Sequence, residues 1–302
     1  MYLPADHTPL LNLDELERLQ GLILERRDKR RAVSSPYSGP AISHHRGYGM
    51  ELHDVRPYHP GDDIRHMDWR ATARSNKPTT KVFLEERQRN LSLVVDRRPS
   101  MRFGTRGEIK AACAARVASI MAFTALAAQE HVTGLIIEDV LTSYPAARTL
   151  HGVFPLIRAV AAPLKGVNAG ESAPVDFGIV YEHLARHTER GSTICIISDF
   201  HEVNERHKPA LLYLADHFET IAIRIIDPAE EMLQGTGRMR FASPVSGETC
   251  VIDTDDADIR RRYNEIMARR SAELKDFFVS SGIQYVSVHN NKDVFRQLSA
   301  LS

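Results

Sequence analysis

Carboxylates are the side chains of this 302-residue chain most able to do chemistry, and they fall into two groups. The first lies in the tract Arg56-Pro57-Tyr58-His59-Pro60-Gly61-Asp62-Asp63-Ile64-Arg65-His66-Met67-Asp68-Trp69, with Arg70 and Arg74 just beyond. Asp62, Asp63 and Asp68 together could hold a divalent cation for a metal-dependent hydrolase. The interleaved arginines oppose that use, because they neutralise the carboxylates a cation needs. Pro60 fixes φ and Gly61 permits a tight reversal, which places Asp62 and Asp63 to accept local backbone N–H bonds. Arg56, Arg65, Arg70 and Arg74 then offer guanidinium forks to Asp62, Asp63, Asp68 and Glu85, a scaffold of directional ties. Trp69 is expected as a buried clamp beneath it.

The second group sits at strand ends. Asp96 follows Leu91-Ser92-Leu93-Val94-Val95, and Asp199 follows Cys195-Ile196-Ile197-Ser198. In parallel sheets, ligands bind at the strands' carboxyl edge near a topological switch. Taken singly, each aspartate is read more economically as a strand terminator capping the next turn. Other chemistries lack their residues. His44, His45, His53, His59 and His66 show no zinc spacing with a second cluster. Cys113, Cys195 and Cys250 form neither a metal motif nor a disulfide framework, which favours a reducing compartment. There is no Gly-x-Ser-x-Gly elbow, no phosphate loop and no Gly-x-Gly-x-x-Gly; Gly47-Tyr48-Gly49 reads as a turn. Arg26 to Arg31, with the arginines near residue 70, suggests a nucleic-acid module as an alternative. A balance of 39 basic against 39 acidic residues argues against it, and the stretch reads as a solvated helix end.

These groups need elements to position them. Leu13, Leu16, Leu19, Leu22 and Ile23 predict a helix over 12–33, and Ser34 to Arg46 a loop. Glu51 to Asp68 is dense in charge and turn residues. Thr79 to Asp96 carries an alternating run that ends in the strand before Asp96. Helices are expected at 108–129, 153–162, 176–188, 206–215, 257–280 and 292–301. Strands are expected at 132–137, 193–197, 220–226 and 284–288, with a hairpin joining 239–242 to 249–252. Strands separated by helices imply a mostly parallel sheet covered on both faces. Ala111 to Ala128 is weakly polar, but Arg116 in its middle marks a core helix rather than a membrane span. A soluble protein is expected.

Several residues together carry a resemblance: Gly47-x-Gly49-x-Glu51, the Pro60-Gly61-Asp62-Asp63 tract, Ala73-Arg74, Lys81, Glu85, Asp96, Ser100-Met101-Arg102-Phe103-Gly104, Lys110 and Ile197-Ser198-Asp199-Phe200. With them the chain resembles a von Willebrand A domain and, more narrowly, the bacterial family called domain of unknown function 58. The resemblance implies a doubly wound α/β domain over 88–302 and an N-terminal helix and Arg/Asp-rich accessory module over 1–87. It further implies a cytoplasmic, non-enzymatic adaptor that acts with a MoxR-type AAA+ ATPase in maturing or remodelling other proteins, without nucleic acid and without membrane insertion.

The same resemblance implies a metal-ion-dependent adhesion site, in which Asp-x-Ser-x-Ser, a threonine and an aspartate hold Mg²⁺. Here the loop is Asp96-Arg97-Arg98-Pro99-Ser100. Asp96, Ser100 and Asp199 match, Arg98 replaces the first serine, and Thr149 is the candidate threonine. The ligand set is broken, so no bound cofactor is expected. Arg98, or Arg97, is expected to turn inward and stand in for the ion between Asp96 and Asp199. Its remaining donors would meet an acidic residue of a partner, making Asp96, Arg98, Ser100 and Asp199 the expected partner-binding set.

Overall fold

The computed structural model describes residues 8–33, 51–59, 63–75, 77–84, 90–164, 175–242 and 249–299. Two compact units emerge, Met1–Arg31 with Arg89–Ser302, and Ala32–Gln88. The sequence reading puts its boundary at 87/88, and the second unit ends at Gln88. The N-terminal helix, however, belongs with the larger unit and not with the accessory module. The reason is its apolar face: in α1 (Leu13–Val33), Leu16, Leu19 and Ile23 are buried in the larger unit's core together with Leu11. Leu13 remains exposed. Arg27 Nη1 donates to Ala127 O, and the Arg26 guanidinium lies over the Phe295 ring, so this stretch is not merely a solvated helix end.

The smaller unit pairs β1 (Glu51–Pro57) antiparallel with β2 (Thr79–Leu84), and α2 (Trp69–Ser75) lies between them in sequence. The polar alternation of β1 hid this strand among charge and turn residues. Asp63 accepts from Arg65 N and Asp68 from Arg70 N and Ala71 N, so both carboxylates cap helical starts. Arg65 also faces Asp63 at 3.5 Å. Arg70 and Arg74 are exposed and pair with no carboxylate among the described residues. The Arg56 guanidinium donates to Pro57 O, and Tyr58 N to Pro78 O. Trp69 is 65% exposed, which overturns the buried clamp. Thr72 instead ties α2 inward, accepting from Thr79 N. Pro60, Gly61, Asp62, Glu85, the Gly47-Tyr48-Gly49 turn and the 34–46 loop lie outside the described residues, as do the side chains of His53, His66 and Lys81.

In the larger unit, chain order runs β3 (Asn90–Asp96), α3 (Lys110–Ala127), β4 (His131–Ile137), β5 (Leu141–Ala147), α4 (Leu150–Ala161), α5 (Phe177–His187), β6 (Thr193–Ser198), α6 (Lys208–His217), β7 (Glu219–Ile226), α7 (Pro228–Glu231), β8 (Arg238–Ala242), β9 (Thr249–Asp253), α8 (Ala257–Ser280), β10 (Gln284–His289) and α9 (Val294–Ser299). Six strands form one sheet in the order β10-β7-β6-β3-β4-β5, parallel except for β5. β8 and β9 form the expected hairpin. Residues of α1, α3 and α4 pack in the core on one face, and residues of α5, α6 and α8 on the other. This is the von Willebrand A-like, doubly wound arrangement that the resemblance implies. By length and composition α3 could cross a membrane, yet 72% of it is buried inside the unit. Arg116 is tolerated in it because the pairs with Glu15 and Glu108 outweigh the cost of its burial.

The chain winds from β3 outward to β4 and then returns to place β6 on the other side of β3. The topological switch therefore lies between the carboxyl ends of β3 and β6, where Asp96 and Asp199 stand. On the other flank of β3, β4 is packed so closely under α4 that a Cβ added at Gly134 would run into the Leu156 side chain. Gly134→Val is expected to cost about 1–3 kcal/mol through overpacking. Urea unfolding checks this, and an unchanged midpoint would mean that α4 yields freely.

Candidate functional site

β3 and β6 are buried on both faces, so their last residues are delivered into a dry edge. Asp96 is fully buried there. Its Oδ1 accepts from Arg98 N and Nε, both at 3.0 Å, and its Oδ2 from Arg98 Nη2 at 2.8 Å and Ser198 Oγ at 2.6 Å. Four donors fill the carboxylate's acceptor positions. Arg98 Nη1 donates to Val175 O at 2.9 Å and to Glu202 at 2.6 Å, and the guanidinium lies over the Phe177 ring at 4.5 Å. Burial alone would lower the Arg98 pKa. The bond and charge of Asp96, with the charges of Glu202 and Asp199, outweigh it and push the value up.

Asp199 has a different cation. Lys110 Nζ, at the first position of α3 and almost wholly buried, donates to Asp199 Oδ2 at 2.7 Å and also to Glu230. Asp199 Oδ1 accepts from His201 N at 3.1 Å. Burial pushes the Asp199 carboxyl up, but Lys110 and the His201 amide outweigh it and hold the pKa at about 2. Phe200, next in sequence, adopts a left-handed backbone with φ of 54° and buries its ring against Phe177 and Phe278. A bulky residue there is strained, and the packed ring holds the turn that aims Asp199 at Lys110.

The pattern extends along the edge. Arg97 also points inward. It pairs with Glu138 at 2.9 Å and donates to the carbonyls of Ala159, Val160, Ala162 and Pro163, capping the end of α4. Burial lowers its pKa, with the charge of Glu138 opposing. Asp227, after β7, is fully buried and accepts from Thr105, Ala229 N and Asn290 Nδ2. Thus four adjacent parallel strands, β4, β3, β6 and β7, are each followed or ended by an acidic residue, Glu138, Asp96, Asp199 and Asp227. Internal groups answer every one of them.

Several sequence expectations are thereby corrected. Arg98 reaches Asp96 and Glu202, whereas Lys110 serves Asp199. Four of the five guanidinium N–H donors of Arg98 are used internally, and Asp96, Arg98 and Asp199 are too buried to be touched by a partner. Ser100 is half-buried on the short turn Pro99–Arg102 and makes no side-chain hydrogen bond among the described residues. Thr149 is not at this edge. Antiparallel β5 carries the chain to the opposite end of β4, with Ala147 beside Val132, and there Thr149 caps α4 by accepting from Gly152 N. In its place, Val175, just before α5, brings its carbonyl oxygen to Arg98. A divalent ion needs free oxygens on Asp96 and Asp199; with Arg98 and Lys110 already bound to them, the residues present do not fit one.

A family model described as protein of unknown function DUF58 matches residues 54–273. The chain belongs to the DUF58 family. Relatives include uncharacterized proteins of Mycobacterium bovis and Mycobacterium tuberculosis, each 27% identical over 248 residues that cover 82% of this chain and 77% of the relative. Among solved structures, the conserved hypothetical protein BatB from Bacteroides thetaiotaomicron matches with a TM-score of 0.44 and 13% identity, over 70% of this chain and 95% of that one. A von Willebrand factor type A protein from Catenulispora acidiphila matches with a TM-score of 0.35 and 13% identity, over 63% and 43%.

Lys110, Glu202, Glu230, Glu138 and Asp227 escaped the sequence reading as site residues. Asp227 was within its reach, since it follows Ile225-Ile226 just as Asp96 follows Val94-Val95. A lysine at the head of an alanine-rich helix carries no such signal.

Proposed function

We propose that this DUF58 protein is a non-enzymatic, cytoplasmic adaptor that binds a MoxR-type AAA+ ATPase through the carboxyl edge of its sheet, without a metal ion. The observation that carries the reading is the internal neutralisation of that edge. Asp96 and Asp199 are paired with Arg98 and Lys110, which leaves them neither a metal to hold nor a substrate to polarise. The edge is thus a rigid, pre-ordered platform, and recognition falls to the exposed residues of its loops. Those include Arg106 before α3, Val140 between β4 and β5, and Met232 after α7. Family membership supports the partner class. A hydrolase built on Asp62, Asp63 and Asp68 is the weaker reading, because Asp63 and Asp68 already accept backbone N–H bonds as caps.

Negative charge placed on the rim tests the proposal. Arg106→Glu, Val140→Glu and Met232→Glu together are expected to weaken ATPase binding at least tenfold, about 1.4 kcal/mol, in a pull-down or calorimetric titration. Val279→Glu, exposed just before β10 at the opposite end of the sheet, should leave it unchanged. Equal binding by all the variants would move the interface away from this edge.

A further inference from the structure

Away from the carboxyl edge, the face of the sheet beneath α5 changes character. Near the strands' carboxyl ends it is apolar, with Val94, Leu135 and Ile137 packed in the core. At the amino ends the same face carries Asn90, Ser92 and Thr133, where a doubly covered sheet would ordinarily continue in aliphatic residues. The last turns of α5 and strand β5 enclose this polar floor in a cleft of about 420 Å³. That volume is in the range of small-molecule sites.

One buried acceptor of the cleft meets no donor. Asn90 Nδ2 donates to Glu189 at 2.6 Å. Because a carboxylate only accepts, this bond fixes the amide, and Asn90 Oδ1 is left buried without a donor. His187 Nδ1 donates to His183 O at 2.9 Å. Ser192 Oγ donates to Glu189 O, and Ser92 and Thr133 share one hydrogen at 3.4 Å. The His183 and His187 rings stack with centroids 4.3 Å apart, and His183 Nε2 meets Ser143 Oγ at 3.2 Å. Burial, with His187 beside it, pushes the His183 pKa down and keeps that ring neutral. No lysine or arginine lines the cleft among the described residues, and Glu189 is the one carboxylate that does.

A lining that bears a carboxylate and a buried carbonyl oxygen without a donor, and no lysine or arginine, disfavours anions. It suits a ligand that brings its own N–H groups and a positive charge. Leu135 and Leu184, on the α5 face, give that ligand's hydrocarbon part an apolar wall. We infer that this cleft binds a small primary amine as its ammonium ion, the charged end directed to Glu189 and Asn90 Oδ1 and the alkyl body lying against the leucines. The site is separate from the carboxyl edge and does not depend on the adaptor reading.

The probe is n-butylammonium chloride, titrated into the full chain while the imidazole resonances of His183 and His187 are followed by NMR. A saturable shift is expected, with none from sodium butyrate at the same concentrations. Glu189→Gln, at an exposed position, should leave the melting temperature unchanged and weaken binding about tenfold, the effect of losing one charge-assisted bond. Absence of a saturable shift, equal binding of butyrate, or undiminished affinity in the Glu189→Gln chain would each overturn the assignment.

Discussion

An Arg98→Ala chain is expected to lose about 3–5 kcal/mol of stability, the cost of breaking a buried pair from one side. Asp96 is wholly buried and receives three of its four hydrogen bonds from Arg98. The backbone N–H survives the substitution, so two charge-assisted bonds vanish while the charge remains. Glu202 and Val175 O lose their donor as well, and the Phe177 ring loses its stacked cation. For a domain of this size the melting temperature should fall by on the order of 10 °C. Arg98→Met combined with Asp96→Asn removes both charges at similar volume and should recover much of the loss. Mg²⁺ titrated into the wild type should give no saturable heat. A single Arg98→Ala variant within about 1 kcal/mol of wild type would show that the pair is not what holds this edge.

The sequence left open whether Arg97 or Arg98 turns inward; both do, and Arg98 is the one that reaches Asp96. Two positions after a strand-ending aspartate, its backbone N–H closes an Asx turn, and the side chain follows the same direction to the carboxylate. The strands before Asp96 and Asp199 were legible too, as uninterrupted aliphatic runs with an acid at the end. What failed was anything depending on partners far apart in the chain. Lys110 and Asp199 are 89 positions apart, and only the winding of the sheet brings the head of α3 under the turn after β6. Thr149 failed for a different reason. Leu141–Ala147 is a half-exposed edge strand with Pro145 in it, so neither periodicity nor burial announces it, and the reversal it introduces went unseen. Trp69 illustrates the limit of composition: a lone tryptophan in a charged tract reads as an anchor, yet its side chain faces solvent. Asp63 accepts a local backbone N–H as the sequence suggested, whereas Asp68, read as tied by guanidinium forks, is likewise held by backbone amides at a helical start.

Lys110 is the cation whose removal should change not only the stability but the sign of its pH dependence. In the wild type the Asp199 carboxyl titrates at about 2, against an ordinary value of 3.8. A depressed carboxyl contributes stability above its unfolded value and loses it as pH falls through the folded one. Asp199 should therefore contribute about 2 kcal/mol at neutral pH, lost between about pH 4 and pH 2. Lys110 itself is raised, since the charges of Asp199 and Glu230 outweigh its burial; its own contribution is lost only above its ordinary 10.5. Lys110→Met keeps the length of the stem and removes the charge. The buried Asp199 and the half-buried Glu230 are then two carboxylates with no cation between them, at a cost of about 3–5 kcal/mol near pH 7. Burial already raises the Glu230 pKa with Lys110 present, and without it both acids favour the protonated form. The folded variant then binds more protons than the unfolded chain, so lowering pH from 7 to 5 should stabilise it while leaving the wild type nearly level. Urea midpoints measured across pH 3–8 for both chains check this, and curves that stay parallel would show that Lys110 does not hold Asp199 and Glu230 together.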